Sequence, residues 1–589
     1  MKILLAACLL VTALFVHADV KVDDAEATRL HALFAEEWDR QMQASPVWAT
    51  MLGDRRFNRQ WHDLSETARQ QRTQETRRTL EKLGSIDREL LSAADRINYD
   101  LFERQQAESL EAAQFSQHLM PISQRGGIQT LDETGNRIRL ETVQDYDDWL
   151  ARLATLDTHM AQTIALMEKG IATGMVPPRI LMQRVPAQIA RQITARPQDS
   201  LFFKPFSRIS DDIPAAERAR IEAEAIEVIG SVVIPAYRRL QTFFNETYLP
   251  ACRDSVATSA LPDGKALYEF TVKRFTTTDM TPQEVHELGL REVARNRSEM
   301  AAVMREVGFE GDLKAFNEHL RSRKDFYYDT PEELFDAYHK IAKQIDPLLI
   351  RLFGKLPRMP YGIKAIPDAI APDTTTAYYS PPAADGSRAG YYYVNLYKPE
   401  TRPKYEMEVL TVHESVPGHH LQIALQQEME TLPDFRRYSR FTVFTEGWGL
   451  YSERLGYDLG LYQDPYSRYG QLTYDMWRAI RLVVDTGMHY LGWSRQQAID
   501  YFMENTPKTE QDIVNEIDRY ISWPGQALAY KLGQLKLLEL RARAEQQLGD
   551  KFDIRAFHDR ILENGTLPLD VLEKVVNDWI EAQLQQSAA

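Results

Sequence analysis

Residues 411–421 read T-V-H-E-S-V-P-G-H-H-L and place His413 next to Glu414, with His419 and His420 shortly after. Histidine nitrogens bind zinc at about 2.0–2.1 Å, and a glutamate beside the first ligand can take a proton from zinc-activated water. The common zincin motif H-E-x-x-H carries its two histidines at i and i+4, on one face of a helix. The stretch therefore predicts a metal-binding helix whose spacing departs from the common motif.

The spacing of these histidines does not fit a regular helix. The residue four positions after His413 is Pro417, which cannot bind metal. A turn of about 100° per residue places His419 about 240° around the helix from His413. His420 returns to the same face but lies about 10.5 Å further along the axis. Neither histidine could then share one ion with His413.

Pro417 and Gly418 indicate how the geometry can be repaired. Proline has no N–H, and its ring collides with the carbonyl of residue i−4, which here is His413. Glycine adopts backbone angles that are closed to other residues. A bulge that loops out two residues would bring His419 to the position of an i+4 ligand, in a motif H-E-x-x-P-G-H. A kinked helix with partly exposed histidines is the alternative that the spacing leaves open.

A second stretch, residues 444–454, reads F-T-E-G-W-G-L-Y-S-E-R and offers a third ligand, Glu446, 27 residues after His419. A His-His-Glu set with one open position suits catalytic zinc. Gly447 and Gly449 are expected to let this second helix approach the first one closely.

Glu453 lies two turns after Glu446 on the same helix face. Such a carboxylate can orient a ligand histidine through a hydrogen bond to its other nitrogen. An ordinary ion pair with Arg454 or a neighbouring helix is the equal alternative. Arg388 and Arg478 are candidates to hold a substrate carboxylate, although Arg388 fits a structural pair within a loop better.

Glu414 is the expected general base, because a carboxylate in reach of activated water can shuttle its proton to the leaving amine. The oxyanion would need a further hydrogen-bond donor. The candidates are Tyr530 and His489, ahead of Tyr520. A lone histidine or tyrosine in an apolar segment is more often a core residue, so the alternative for each is a role in packing.

The composition describes a soluble globular protein, with 589 residues, 44% hydrophobic and 26% charged. The net charge of −15 argues against nucleic acids and anionic membranes as partners. Residues 1–18 resemble a cleavable signal peptide: Lys2 precedes an apolar run, and cleavage is expected after Ala18. The apolar run before Cys8 is too short for a lipoprotein signal. Removal of the segment leaves Cys252 as the only cysteine, which excludes an intramolecular disulfide.

Apolar residues recur at helical spacing over most of the chain, with helices expected at about 179–195, 211–246 and 330–352 among others. Thr281 and Pro282, with Glu284, form a helix start signal. Strand-like runs at 374–379 and 390–395 predict a small sheet before the metal helix. An edge strand of this sheet could bind an extended peptide, and a cap on the helical core is the alternative. The predicted fold class is mainly α with one small sheet.

Several motifs together resemble the signatures of the domain-of-unknown-function 885 family of bacterial proteins, from about residue 25 to 580. They are H-E-S-V-P-G-H-H-L-Q, E-G-W-G-L-Y-S-E, L-P-D-G-K, T-T-T-D-M-T-P-Q-E-V-H-E-L-G-L, D-G-S-R-A-G-Y-Y-Y-V-N and D-T-G-M-H. The family is regarded as zinc metallopeptidases that are mainly helical and similar in plan to the gluzincins, including the angiotensin-converting and carboxypeptidase types.

The resemblance implies zinc as cofactor, with His413, His419 and Glu446 as its ligands and Glu414 as the base. His420 is the fallback ligand. It also implies a single large domain over residues 19–589, with halves at 19–260 and 261–589 around a channel that admits short peptides.

These observations predict a periplasmic or secreted zinc-dependent peptidase that hydrolyses short peptides, of carboxypeptidase or dipeptidyl-carboxypeptidase type. The irregular histidine spacing leaves open a non-catalytic peptide-binding protein with a degenerate zincin fold. A metal-dependent amidase is a third reading. Glu414 favours an enzyme, because a binding module has no need of a base beside a metal ligand.

Overall fold

The computed structural model describes residues 23–368, 371, 375–383, 386 and 388–586. The expected signal peptide and Cys8 lie outside these residues. The described chain is mainly α-helical with one small sheet, which confirms the predicted fold class. Among the described helices, none combines the length and apolar character that a membrane crossing requires.

The chain before the sheet consists of helices joined by short turns. Their bounds are α1 (Asp24–Ala44), α2 (Pro46–Met51), α3 (Glu66–Gly84), α4 (Ala93–Ala112), α5 (Asp132–Arg137), α6 (Val143–Ala154), α7 (Leu156–Thr173), α8 (Arg179–Met182), α9 (Val185–Ala190), α10 (Ala215–Val228), α11 (Ile234–Phe243), α12 (Leu249–Ala251), α13 (Gly264–Thr276), α14 (Pro282–Glu306), α15 (Leu313–Ser322) and α16 (Pro331–Ile345). Two π-helical turns, Ile229–Val233 and Phe244–Tyr248, connect α10 to α11 and α11 to α12.

Several helix ends follow the sequence signals. α14 begins with the expected capping box, in which the Thr281 side chain accepts from the backbone N–H of Glu284 and the Glu284 carboxylate accepts in return. The single helix expected at about 179–195 is instead two short ones. Pro186 explains the break, since its ring would collide with the carbonyl four residues earlier, at the last residue of α8.

The sheet has the strand order β1–β3–β2. β1 (Tyr361–Ala365) runs parallel to β3 (Gly390–Val394), and β2 (Ala377–Ser380) runs antiparallel to β3, with Tyr379 opposite Tyr392. β2 and β3 fall in the two strand-like runs, whereas β1 was not expected as a separate strand. β2 is an edge strand, and it packs beside the helix that follows the sheet.

The chain after the sheet is again helical. Its bounds are α17 (Met407–Glu414), α18 (His419–Gln427), α19 (Asp434–Arg437), α20 (Thr442–Leu459), α21 (Pro465–His489), α22 (Arg495–Asn505), α23 (Glu510–Ser522), α24 (Ala529–Leu548), α25 (Ile554–Leu562) and α26 (Leu569–Gln586). Every residue of 469–489 in α21 is buried, so this helix is surrounded on all sides.

Two large apolar clusters form the core. One joins α6, α7, α10 and α11 to α21–α23, and the other joins α1 and α4 to α20, α24, α25 and α26. Each cluster takes residues from both sides of position 260. The division into two halves around a channel stays a prediction.

Candidate metal centre

Three of the candidate ligands come together in the structure. His413 ends α17, His419 begins α18 and Glu446 lies in the first turns of α20; one ligand atom from each lies within 4.8 Å of the others. The Nε2 atom of His419 is 3.4 Å from Oε2 of Glu446, and that of His413 is 3.9 Å from the same oxygen. The rings of His413 and His419 stand edge to face, with centroids 4.7 Å apart.

The helix is interrupted between these two histidines. α17 ends at Glu414 and α18 begins at His419, and the backbone N–H of Gly418 reaches back to the carbonyl of Val412 at 3.0 Å. A Cβ at Gly418 would lie 1.9 Å from the carbonyl oxygen of His413, so no other residue fits. Residues 415–418 leave the helical path. Because of this break, His413 and His419, which are six positions apart, both face the candidate metal position.

The break is held by α20. The indole Nε1–H of Trp448 donates to the carbonyl of Pro417 at 2.8 Å, and the Ser452 hydroxyl reaches the same oxygen at 3.4 Å. A buried carbonyl that leaves the helical ladder needs such a partner. The helix that supplies Glu446 thus also fixes the segment that positions His419.

The two glycines of E-G-W-G serve different contacts. A Cβ at Gly449 would lie 2.9 Å from Cε1 of His413 and 3.1 Å from Cε1 of His419, so this glycine permits the expected close approach to the ligand histidines. Gly447 does not face α17. It packs against Gly533 of α24, where a Cβ would lie 2.5 Å from the Gly533 Cα. The expectation for Gly447 was wrong, because sequence does not show which helix each face meets.

Glu453 contacts the first candidate ligand. Its Oε1 lies 2.8 Å from Nδ1 of His413, and Arg478 approaches the same oxygen at 3.6 Å. Both Glu453 and His413 are buried. Burial raises the pKa of the Glu453 carboxyl to about 8 and, with the neighbouring His419, holds the pKa of His413 well below its usual range. Whichever of the two groups carries the shared proton, the contact holds Nδ1 of His413 against Glu453 and turns Nε2 toward Glu446.

Glu414 lies beside the three ligand candidates and at the edge of the sheet. Its carboxylate accepts a hydrogen bond from the backbone N–H of Tyr379 in β2. Burial raises the pKa of Glu414, and the nearby Glu446 carboxylate adds to the rise, while His419 opposes it. A carboxyl group of raised pKa beside the candidate ligands is a stronger base than a solvated one and is placed to accept a proton.

Tyr530 is the one oxyanion-donor candidate that reaches the cluster. Its hydroxyl interacts with the carboxylate of Glu446 and with Gln526. The guanidinium of Arg481 lies over its ring, 4.3 Å from the centroid. Arg481 is held in turn by the Tyr520 hydroxyl, which accepts from its Nε at 2.7 Å. The ring of Tyr530 is therefore fixed from two sides with its hydroxyl toward the candidate metal position.

His489 makes its contacts elsewhere. Its Nδ1 pairs with the Thr258 hydroxyl at 2.9 Å and its Nε2 with the Tyr520 carbonyl at 3.0 Å. Because both ring nitrogens are occupied within the core, the packing alternative accounts for His489 and the structure offers it no role toward an oxyanion. Tyr520 is likewise engaged, with its hydroxyl donating to Glu516 at 2.6 Å.

His420 points away from the cluster, with its ring nitrogens 2.8 Å from the Tyr379 hydroxyl and 3.0 Å from the Met359 carbonyl. Of the two neighbouring histidines, the structure therefore brings only His419 to the site. Arg388 donates to the carbonyls of Pro381 and Ala389 in its own loop, in keeping with the structural role preferred for it.

The donor set fits zinc. Two imidazole nitrogens and one carboxylate oxygen form the triangle, and ligands 2.0–2.1 Å from a tetrahedral ion are about 3.4 Å apart. The observed separations of 3.4 and 3.9 Å from Oε2 of Glu446 are close to that value. With three protein ligands, one coordination position is left for water or substrate.

The family model described as "Bacterial protein of unknown function (DUF885)" matches residues 46–576. The chain belongs to the DUF885 family. No curated protein matches the chain in sequence.

Two solved structures are similar to this DUF885 protein. One, from Colwellia psychrerythraea, is described as a "putative lipoprotein"; it is 29% identical, with a TM-score of 0.89 over 95% of this chain and 99% of that chain. The other, a "putative lipoprotein of unknown function" from Shewanella oneidensis, is 18% identical, with a TM-score of 0.73 over 94% of this chain and 100% of that chain. The second likeness shows the fold alone.

Four residues at the site of this DUF885 chain were not expected from its sequence. They are Tyr379, Arg440, Arg481 and Gln526. Each forms a hydrogen bond with an expected site residue or acts on one through its charge. Tyr379 falls in a strand-like run, so its closeness to the metal helix could have been considered. The other three carry no local signal, because only the packing of α20, α21 and α24 brings them there.

Proposed function

We propose that this DUF885 protein is a zinc-dependent peptidase that hydrolyses short peptides. The observation that carries the proposal is the cluster of His413, His419 and Glu446 with Glu414 beside it. A binding module would need the three ligands at most, whereas an adjacent half-buried carboxylate of raised pKa suits general base catalysis.

A zinc ion held by the three side chains would supply a Lewis acid that polarises the amide carbonyl and lowers the pKa of water. Glu414 accepts the proton of the attacking water and delivers it to the leaving amine. Tyr530 donates a hydrogen bond to the oxygen that becomes negative as the carbonyl is attacked. Glu453 keeps His413 in the tautomer and orientation that a ligand needs.

The sheet supports a peptide as the substrate. β2 is an edge strand, and Tyr379 within it contacts Glu414 through its backbone. An extended peptide that pairs with this edge would run past Glu414, with its main chain held by hydrogen bonds that do not depend on side chains. A peptide bond fits such an arrangement better than an isolated acyl–amino-acid amide.

The proposal is tested by zinc analysis and by digestion of a peptide library with the wild type and Glu414→Gln. We expect about one zinc per chain in both proteins, and a fall in turnover of about 10²–10⁴-fold in the variant. Glu408→Gln is the matched control, since Glu408 lies on the same helix and accepts a hydrogen bond from Tyr462. Peptide binding with no turnover in either protein would contradict the enzyme and support the peptide-binding alternative.

We also infer that the protein is exported. The signal-like residues 1–18 support this, as does the likeness to two proteins described as lipoproteins. Cleavage after Ala18 gives a mature chain that begins at Asp19, which the intact mass of the protein from its native host would show. A mass that instead corresponds to a lipid-bearing Cys8 would contradict the cleavage site and leave export standing.

A further inference from the structure

A cavity of about 470 Å³ is lined in part by residues that lead into α20, the helix that carries Glu446. Its walls come from α1, α3 and α4 on one side, and from α13 and the segment 435–442 on the other. Pockets that hold small ligands are typically about 300–1,000 Å³, so this space can take part of a peptide. The proposed mechanism does not use it.

The cavity wall includes the start of α20, the helix that carries Glu446 of the candidate metal centre. Arg440, Phe441 and Thr442 line the cavity, and Thr442 is the first residue of α20. Glu446 follows four residues later, on the same helix face and about 6 Å along the axis. The charge of Arg440 is also felt by His419 and Glu446. This part of the cavity wall therefore lies about one helical turn from Glu446.

The cavity wall is rich in positive charge. Two glutamates, Glu37 and Glu108, line it together with five arginines: Arg40, Arg72, Arg274, Arg436 and Arg440. This concentration stands out in a chain whose net charge is −15. Clefts lined by one sign of charge attract ligands of the opposite sign.

Most of these arginines lack a carboxylate partner. Arg40 pairs with Glu37 and Glu75. Arg436 donates to Asn98 and to the backbone of Asn564, both uncharged. Burial lowers the pKa of the Arg436 guanidinium to about 10, which reflects a cation without a counter-charge.

The remaining three arginines are still less engaged. Arg72 donates to the backbone carbonyl of Asp63 at 3.1 Å. Arg274 and Arg440 make no side-chain hydrogen bond or ion pair with any residue that the structure describes, and both side chains are exposed. The charge of Arg274 acts on Glu108 of the same wall without a direct contact. A guanidinium offers a planar pair of donors that matches a carboxylate, so these two are free to bind one.

We propose that the cavity binds substrate carboxylates through Arg274 and Arg440, so that the protein selects acidic peptides. This rests on the proposed function for the scissile bond, but the binding itself does not require turnover. The carboxylate can come from glutamate or aspartate side chains or from the peptide C terminus. The chemistry is the same in each case, and the experiment separates the sources.

The test measures binding by calorimetry in the full mature chain carrying Glu414→Gln, so that hydrolysis does not interfere. The probes are Ala-Ala-Glu-Glu and Ala-Ala-Gln-Gln, each with a free or an amidated C terminus. The double change Arg274→Gln/Arg440→Gln is compared with Arg77→Gln/Arg78→Gln. Arg77 and Arg78 are the matched control, because both are exposed on α3 and neither lines the cavity.

We expect the fully acidic peptide to bind about tenfold more tightly than the neutral one, as one or two charge-assisted hydrogen bonds would give. The cavity double variant should reduce this ratio below about twofold, and the control should preserve it. If affinity falls when Glu is replaced by Gln, the cavity binds side-chain carboxylates. If affinity falls when the C terminus is amidated, the cavity binds the terminal carboxylate.

An equal affinity for all four peptides, or an acidic preference that survives the cavity double variant, would overturn the inference. The proposed function is judged separately by digestion of the same peptides with the unaltered protein. Hydrolysis without charge preference would support the proposed peptidase and contradict the proposed carboxylate site. Binding of acidic peptides that depends on Arg274 and Arg440, without hydrolysis, would support the carboxylate site and contradict the peptidase.

Discussion

Glu453 is the residue on which the orientation of His413 depends. It reaches Nδ1 of that histidine at 2.8 Å in a buried setting where no water competes for the contact. A zinc ion on Nε2 of His413 favours an ionised carboxylate at Nδ1, and an amide cannot supply that charge, so Glu453→Gln preserves the shape and weakens the bond. We expect zinc affinity, measured by competition with a chelator, to fall about tenfold or more. Glu408→Gln is the control, and equal affinities in the two variants would contradict the role of Glu453.

Asp485 in the D-T-G-M-H motif has a structural role that pH should reveal. Its Oδ1 accepts from the Tyr268 hydroxyl at 2.6 Å and from the backbone N–H of Gly525 at 2.9 Å, while Oδ2 is buried without a partner. Burial raises the pKa of this carboxyl to about 7, against about 3.9 in an unfolded chain. The folded chain keeps a proton that the unfolded chain releases.

The stability that Asp485 contributes is therefore complete below about pH 4 and is lost as the pH rises through about 7. Asparagine keeps the accepting oxygen and does not titrate. We expect the melting temperature of Asp485→Asn, relative to wild type, to increase between pH 4 and pH 8. Asp550→Asn, on the surface, serves as control. Parallel melting profiles for wild type and Asp485→Asn would show that Asp485 does not titrate in this range.

At the scale of elements, α20 meets two helices through two glycines two positions apart. Gly447 lies against Gly533 of α24, where neither position has room for a Cβ, and Gly449 lies against the rings of His413 and His419. Substitutions at the two glycines should have different effects, because Gly447 serves helix packing and Gly449 contacts the rings of the candidate ligands.

Gly447→Ala should lower the free energy of unfolding by about 1–3 kcal/mol or more, because backbone atoms block the new methyl group. Gly449→Ala should instead displace ligand rings and weaken zinc binding about tenfold, with a smaller loss of stability. Chemical denaturation and chelator competition measure the two effects. Gly84→Ala is the control, as a Cβ there meets nothing within 4 Å at the end of α3. Equal losses of stability in both site variants would contradict this division.

At the scale of the whole molecule, zinc should stabilise the fold. The candidate ligands belong to α17, α18 and α20, which pack into the same apolar cluster as α1, α4 and α24. A ligand that binds only the folded state adds about 2.7 kcal/mol when its free concentration is a hundred times Kd. We expect zinc to raise the melting temperature of the metal-free protein, and His413→Ala to abolish this rise. A shift that persists in His413→Ala would place the metal elsewhere.

The fold class and the identity of the clustered residues could be predicted from the sequence. The arrangement of those residues could be predicted only in part. The helical spacing, the capping box at Thr281 and the strand-like runs were enough for a mainly α fold with a small sheet. The proline and glycine at 417–418 indicated an interrupted helix, because both residue types have local backbone consequences. These signals act within a few residues, which is why they can be recognised in a single chain.

What could not be predicted depends on which surfaces meet. Gly447 was assigned to the wrong helix, and His489 was given an oxyanion role although Thr258 and Tyr520 occupy its ring. Arg440 belongs to no motif, yet it lines the cavity and its charge acts on Glu446 of the candidate metal centre. Such contacts join residues far apart in the chain, and their partners are set by the packing of complete helices.

The hydrogen bond from Trp448 to the Pro417 carbonyl has a consequence for the order of folding and metal binding. Residues 411–421 alone contain both candidate ligand histidines but not the indole that fixes the break, nor the glutamates that complete and orient the set. An excised peptide of this stretch would offer zinc only the three loosely placed imidazoles of His413, His419 and His420. Under the proposed function, tight zinc binding would follow the docking of α20, and zinc loading would report on completed folding.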